Sequence, residues 1–253
     1  MKSKILITGV TSGIGRSLTI ESLKRGYHVW GIARRGSILR EIKKNTKKNK
    51  FDFTSTDLSQ SDAWEKIIRQ IKRKKFVPNI VVFNAAISED DLKDGIDLNS
   101  TRDIFETNYF SVLDGIERLL PYVKKDTQFI GISSISALKG NAREGIGYSG
   151  SKSSLNLAFE TLQQKYSKNY HFTIVAFGPV ATGMNPYKKN QFLSISEKDA
   201  VSLINKAVDE RKQRYEKPIF LFLFVKIVKL LPQNISNLMF SVIENLRKKL
   251  LEE

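Results

Sequence analysis

Five short runs of apolar and β-branched residues, at 4–9, 28–34, 79–85, 128–134 and 171–179, alternate with longer amphipathic segments. The runs are nearly continuous in apolar side chains, as strands are when helices cover both faces of a parallel sheet. This alternation predicts an α/β architecture, a doubly wound parallel sheet of about seven strands with helices on both faces. Helices are expected from Gly13 to Arg25, over 100–124 and around Tyr148. No Pro/Gly linker or internal repeat divides the chain, so residues 1–253 are read as one domain.

Composition narrows the function classes. There is no cysteine, which excludes disulfide and thiolate chemistry and suits a reducing compartment. The first residues run straight into a strand-like segment with no signal-peptide core, so a cytoplasmic location is expected. Lys and Arg outnumber Asp and Glu by 42 to 26, a net charge of +16. Such an excess serves nucleic acid, anionic lipid or a phosphorylated cofactor. Much of it lies in runs at 43–50 and 72–75, which read as solvated loops and helix ends. The sequence offers neither a groove-reading element nor an aromatic stacking platform, so nucleic acid is not an expected partner.

The first strand ends in a glycine-rich turn, ITGVTSGIG, with Gly9, Gly13 and Gly15. Residues without Cβ let backbone approach a pyrophosphate, and the helix that follows offers free N–H groups at its positive end. Thr11 and Ser12 add hydroxyl donors, and Ile14 lies between the last two glycines. The second strand ends in Arg34 and Arg35, with no carboxylate to hold the ribose hydroxyls of NAD. Guanidinium groups accommodate a 2′-phosphate, so NADP(H) is the preferred cofactor, with NAD(H) as the alternative.

Downstream, GYSGSK places Tyr148 four positions before Lys152, on one face of a helix. A cation there favours the phenolate, so the lysine is expected to lower the tyrosine pKa and create a proton donor usable near neutrality.

Taken together, TGxxxGxG at 8–15, the Asn-Ala pair at 84–85, a serine after the next strand and Tyr-x-x-x-Lys resemble the short-chain dehydrogenase/reductase family, from about residue 4 to about residue 185. The resemblance implies a Rossmann-like fold and hydride transfer between nicotinamide and a carbonyl or secondary alcohol. It implies that Tyr148 gives the proton, Lys152 holds the nicotinamide ribose, and Asn108 holds a water of the proton relay. Ser134, favoured over Ser136, would meet the developing oxyanion; it lies fourteen positions before Tyr148, one more than in many relatives. For the cofactor, the resemblance implies Asp57 and its neighbour Leu58 at the adenine, and Asn84, Ala85 and Ala86 beside the adenosine ribose. Gly178, Pro179, Val180 and Thr182 would close over the nicotinamide. Phe83, Ala86 and Phe177 depart from the family pattern. Residues 185–196 have the composition of a substrate lid, and a homodimer or homotetramer is implied by resemblance alone.

The segment 217–233 is unusually apolar. A last strand is expected near 217–222, then an amphipathic helix opening the basic extension 223–253. That helix either lies on anionic lipid or covers the chain's own pocket or a subunit contact. Either way the substrate is expected to be fairly apolar. Two rivals to an enzyme stand beside it: an NADP-sensing module with its chemistry lost, and a lipid-surface scaffold using the same fold.

Overall fold

The computed structural model describes residues 3–47, 50–140, 144–181, 194–236 and 238–239. The strands β1 (Lys4–Thr8), β2 (His28–Ala33), β3 (Phe51–Ser55), β4 (Ile80–Phe83), β5 (Thr127–Ser134), β6 (Tyr170–Phe177) and β7 (Arg214–Lys217) form one sheet in the order 3-2-1-4-5-6-7. Every pairing is parallel. The order reverses between β1 and β4, and the crevice at the carboxyl ends of those strands is where such folds receive ligands. The inner strands are buried on both faces, which explains their unbroken apolar runs.

Two apolar layers sandwich the sheet. One packs α3 (Ala63–Arg73), α5 (Ser111–Leu119) and α6 (Gly145–Tyr166) through Trp64, Ile116, Leu155 and Phe159. The other packs α1 (Gly13–Lys24), α2 (Gly36–Lys44) and α7 (Glu197–Glu210) through Leu18, Leu39, Ile204 and Val208. Phe83, one of the departures from the family pattern, points into the first layer with its ring 5.9 Å from that of Trp64.

Three expectations are corrected. The helix over 100–124 is α4 (Leu98–Phe105) and α5, joined by a π-helical turn, Glu106–Phe110. The edge strand β3 was not among the apolar runs, because only alternate positions of FDFTS are apolar and its burial is partial. The final strand ends at Lys217 rather than spanning 217–222, and α8 (Ile219–Lys229) begins at once. Pro218 has no N–H for the sheet ladder and starts the helix instead. The apolar run then buries Phe222, Val225 and Val228, a helical spacing.

Candidate active site

The glycine-rich turn connects β1 to α1 at the point where the strand order reverses. A Cβ at Gly15 would run into the carbonyl of Gly9 and the side-chain amide of Asn84, so only glycine lets the two loops meet. Thr8 ties them further. Its hydroxyl accepts the N–H groups of Asn84 at 3.0 Å and Ala85 at 2.9 Å, while Asn84 Nδ2 donates to the Thr8 carbonyl at 3.0 Å. Thr8 is missing from the residues singled out in the sequence, although it opens the TG motif. Ser12 takes the N-cap position of α1, Gly13 and Ile14 form its first turn, and Ala86 follows half-buried behind the crevice.

Arg35 spans the mouth of this turn, donating to Thr11 Oγ1 from Nε at 3.1 Å and from Nη2 at 3.0 Å. Arg34 pairs with Asp57 at 3.4 Å. Burial raises the Asp57 pKa, but hydrogen bonds from Ser59 and the charge of Arg34 outweigh it, and the net value is lowered. Leu58 turns into the apolar layer beneath. A backbone cradle that a Cβ would fill, a helix N-terminus and a guanidinium at the rim together fit a pyrophosphate-bearing dinucleotide. Among the described residues no cluster of His, Cys, Asp or Glu could hold a metal.

On the other side of the crevice the π-helical turn presents Asn108, fully buried. Its Oδ1 accepts the Ile87 N–H at 2.9 Å, and Nδ2 donates to the Ile87 carbonyl at 2.9 Å and to Ser151 Oγ at 3.2 Å. Ser151 in turn donates to the Tyr148 carbonyl at 2.9 Å. The wider turn thus bolts the loop after β4 to α6, a common use of such insertions at functional sites.

Lys152 is buried one turn beyond Tyr148; its Nζ donates to the Ile132 carbonyl at 2.9 Å and lies 5.8 Å from the centre of the Tyr148 ring. Burial lowers its pKa to about 8. Tyr148 behaves differently from the sequence expectation. Its pKa is raised to about 12, by burial first and by the Glu144 carboxylate second, with a hydrogen bond from Ser134 opposing. The lysine does not lower it: with its own pKa at about 8, Lys152 is neutral before a phenol at about 12 releases its proton. Of the two candidate serines, Ser134 is the one whose hydroxyl acts on the Tyr148 phenol, lowering its pKa, and the Ser136 hydroxyl lies 3.0 Å from that of Ser134.

Asp91 was not visible in the sequence as a site residue. It is fully buried, and its carboxylate accepts the N–H groups of Ile146 at 2.8 Å and Gly147 at 2.7 Å and the Thr101 hydroxyl at 2.7 Å. It therefore caps the helix that carries Tyr148, against the positive end of the helix dipole. Burial raises its pKa, but the bonds from Thr101, Gly147 and Ile146 prevail and the net value is lowered. Gly145, at φ +75°, is where the chain turns under it; a Cβ there would strike the carboxylate.

After β6, Gly178 donates to the Lys217 carbonyl at 2.9 Å, and a Cβ on it would touch Pro218 and Leu221 at 3.0 and 3.2 Å. Pro179 accepts the Ile195 N–H at 2.9 Å and Val180 pairs with Ile195. Thr182 and most of the expected lid at 185–196 lie outside the described residues.

A crevice with a phosphate-shaped turn on one wall and a Tyr-Lys-Ser-Asn cluster on the other defines a Rossmann-type oxidoreductase fold with its site at the switch point. The short chain dehydrogenase family model matches residues 3–192, and the chain belongs to that family, which comprises NAD(P)-dependent dehydrogenases and reductases of alcohol and carbonyl groups. It is 29% identical over 199 residues to the 3-oxoacyl-acyl-carrier-protein reductase FabG of Buchnera aphidicola subsp. Acyrthosiphon pisum, covering 74% of this chain and 79% of that one. Among solved structures it is similar to 4-hydroxyisoleucine dehydrogenase complexed with NADH, with a TM-score of 0.74 at 20% identity over 85% of this chain and 96% of that one. It is also similar to the closed form of serine dehydrogenase complexed with NADP+, with a TM-score of 0.76 at 18% identity, covering 86% and 95%.

Proposed function

We propose that the protein reduces a carbonyl of a fairly apolar substrate, or oxidises the matching secondary alcohol, with NADP(H) as the preferred cofactor. The observation that carries this reading is the convergence of Tyr148, Ser134, Lys152 and Asn108 at the carboxyl end of β5 beside the glycine cradle. The glycine cradle and Arg35 would hold a dinucleotide, whose nicotinamide would supply the hydride for the carbonyl carbon. Tyr148 gives its phenolic proton to the carbonyl oxygen, and Ser134 donates a hydrogen bond to the same oxygen as charge develops there. At a pKa of about 12 the phenol is stocked with its proton at neutral pH. The Lys152 ammonium, still charged below about 8, offsets the negative charge left on the ring oxygen after transfer. Asn108 holds the crevice loop and α6 in register, so that donor and cofactor wall keep their spacing.

The preference for NADP(H) is supported by Arg35 at the rim of the turn and by the absence of a carboxylate at the end of β2. Arg34 and Asp57 would frame the adenosine end, with Gly178, Pro179 and Val180 at the nicotinamide end. A homodimer through α5 and α6 is implied by the family resemblance, and an open groove of about 430 Å³ runs along α6, lined by Tyr109, Ser154, Leu157, Ala158, Thr161 and Leu162.

The test is NADPH absorbance with a panel of ketones and aldehydes. Tyr148→Phe should lower turnover by about 10²–10⁴ while leaving NADPH binding intact. Turnover unaffected by that change would refute the mechanism.

A further inference from the structure

A helix that is apolar all round is normally covered all round. In α8, Phe222, Val225 and Val228 are covered by the protein. Ile219, Leu223, Ile227 and Leu230, spaced by four, four and three residues, form a second stripe on the opposite side that faces solvent, with Ile227 62% and Leu230 86% exposed. Ile235 and Leu238 continue the exposed apolar surface past the end of the helix. Scattered exposed apolar residues need no explanation, but a contiguous stripe of this kind marks an interaction site.

Charge says what covers it. From Lys217 to Met239 there is no Asp or Glu; Lys217 and Lys226 are paired with Asp199 at 2.9 Å and Glu216 at 2.7 Å, so the charge that the stripe presents is set by Lys229. Lys229 borders the stripe and lies close enough to Lys139 to help lower its pKa, behind the larger effect of burial; Lys139 in turn donates to Ser236 at 3.2 Å. A second copy seated on this stripe would bring Lys229 and Lys139 against their own like charges. An anionic bilayer would attract the same surface. The helix has 11 residues, about 16 Å at 1.5 Å per residue, so it cannot span a bilayer but can lie along one. No helix among the described residues is long and apolar enough to cross a membrane.

We propose that the outer stripe of α8 and the turn after it dock on the surface of an anionic lipid bilayer. Pro218 and Leu221, on the covered side of the helix, pack on Gly178 at the carboxyl end of β6, so the helix lies between that end and the lipid. An apolar substrate leaving the lipid would reach the mouth of the crevice around one helix diameter, about 10 Å. That last consequence rests on the oxidoreductase reading; the docking itself does not.

The full chain is mixed with vesicles of phosphatidylcholine alone, or of phosphatidylcholine with phosphatidylserine, and the bound fraction is read by sedimentation. Phosphatidylserine should raise the partition coefficient about tenfold or more, and about 1 M salt, where the Debye length is about 3 Å, should remove that gain. The double variant Ile227→Asp with Leu230→Asp changes only solvent-facing side chains, so its melting temperature and NADPH binding should stay unchanged. Its partition on phosphatidylserine vesicles should fall about tenfold. Three outcomes would overturn the proposal: no preference for phosphatidylserine, equal binding by the double variant, or a lipid-free dimer of the unmodified chain that the double variant turns into monomer. The last would identify a second copy as the cover. Loss of ketone reduction without loss of vesicle binding would sink the enzymatic reading and leave the docking standing.

Discussion

The two walls of the crevice are held by different means. The phosphate wall is built from backbone: glycines that admit no Cβ, a helix N-terminus, and the Thr8 hydroxyl joining neighbouring loops within a few ångströms. The catalytic wall is built from buried polar side chains reaching across long stretches of chain. Asp91 caps α6 from 55 and 56 residues away, and Asn108 braces Ser151 from 43 residues away. Both walls join distant segments, Thr8 reaching Asn84 and Ala85 across 76 and 77 residues, but the first depends on backbone fit, and damage to it should appear in cofactor binding. The second depends on buried side-chain hydrogen bonds, and damage to it should appear in the chemical step.

Substitution can break or sharpen this contrast. The largest effect is expected from Asp91→Ala, which strands three donors; charge-assisted bonds of this kind are worth about 1.5–3 kcal/mol each, and about 3 kcal/mol of stability should be lost in chemical denaturation. The rate of reduction should fall with little change in the KM for NADPH, and Asp91→Asn, which keeps an acceptor, should recover part of both. Because folding lowers the Asp91 pKa, the unfolded chain takes up the proton first. Its stabilisation is therefore complete above the ordinary carboxylate range and is lost as the pH falls through the lowered folded value. A flat denaturation profile from pH 7 down to about pH 3 would argue against the cap.

Gly15→Ala should give the opposite pattern. The added methyl meets the Gly9 carbonyl and the Asn84 amide, and overpacking of this kind costs about 1–3 kcal/mol. The KM for NADPH should rise more than kcat falls. Arg35→Ala comes next. Removing one charge-assisted contact to a phosphate should weaken NADPH by about tenfold, 1.4 kcal/mol, and leave NADH unchanged. Equal effects on both cofactors would remove the case for a 2′-phosphate site.

The smallest effect is a pH limb. Lys152 has its pKa lowered to about 8, so its ammonium is lost as the pH rises through that value while Tyr148, at about 12, remains protonated. The kcat/KM for reduction should be about half maximal near pH 8 and decline above it. In Lys152→Arg the limb should move beyond pH 10, since guanidinium stays charged there. A limb unmoved in that variant would belong to another group.

The strand alternation, the turn at 7–15 and the Tyr148–Lys152 pair were legible because each is a short-range pattern, in which period or spacing is itself the physical constraint. The opening of α8 at Ile219 was not, since an apolar run alone suits strand or helix, and Pro218 with the packing on Gly178 chose between them. Nor was Asp91, one acid among several in SEDDLKDGID, with no local feature marking it for burial. The tyrosine pKa reversed direction for a similar reason. Spacing along a helix sets which groups are neighbours, Glu144 and Lys152 included, each four positions from Tyr148, but the desolvation of the phenol and of the ammonium comes from chain folded in from elsewhere.

By itself, then, the sequence determined the layered sheet, the glycine cradle and the placing of Tyr148 beside Lys152, because backbone sterics and helical periodicity act over a few residues. Only tertiary structure decided which acid caps the helix carrying Tyr148, which serine acts on Tyr148 and which side of α8 is left uncovered. Those choices depend on burial and on contacts between segments far apart in the chain, and neither is written in any local pattern.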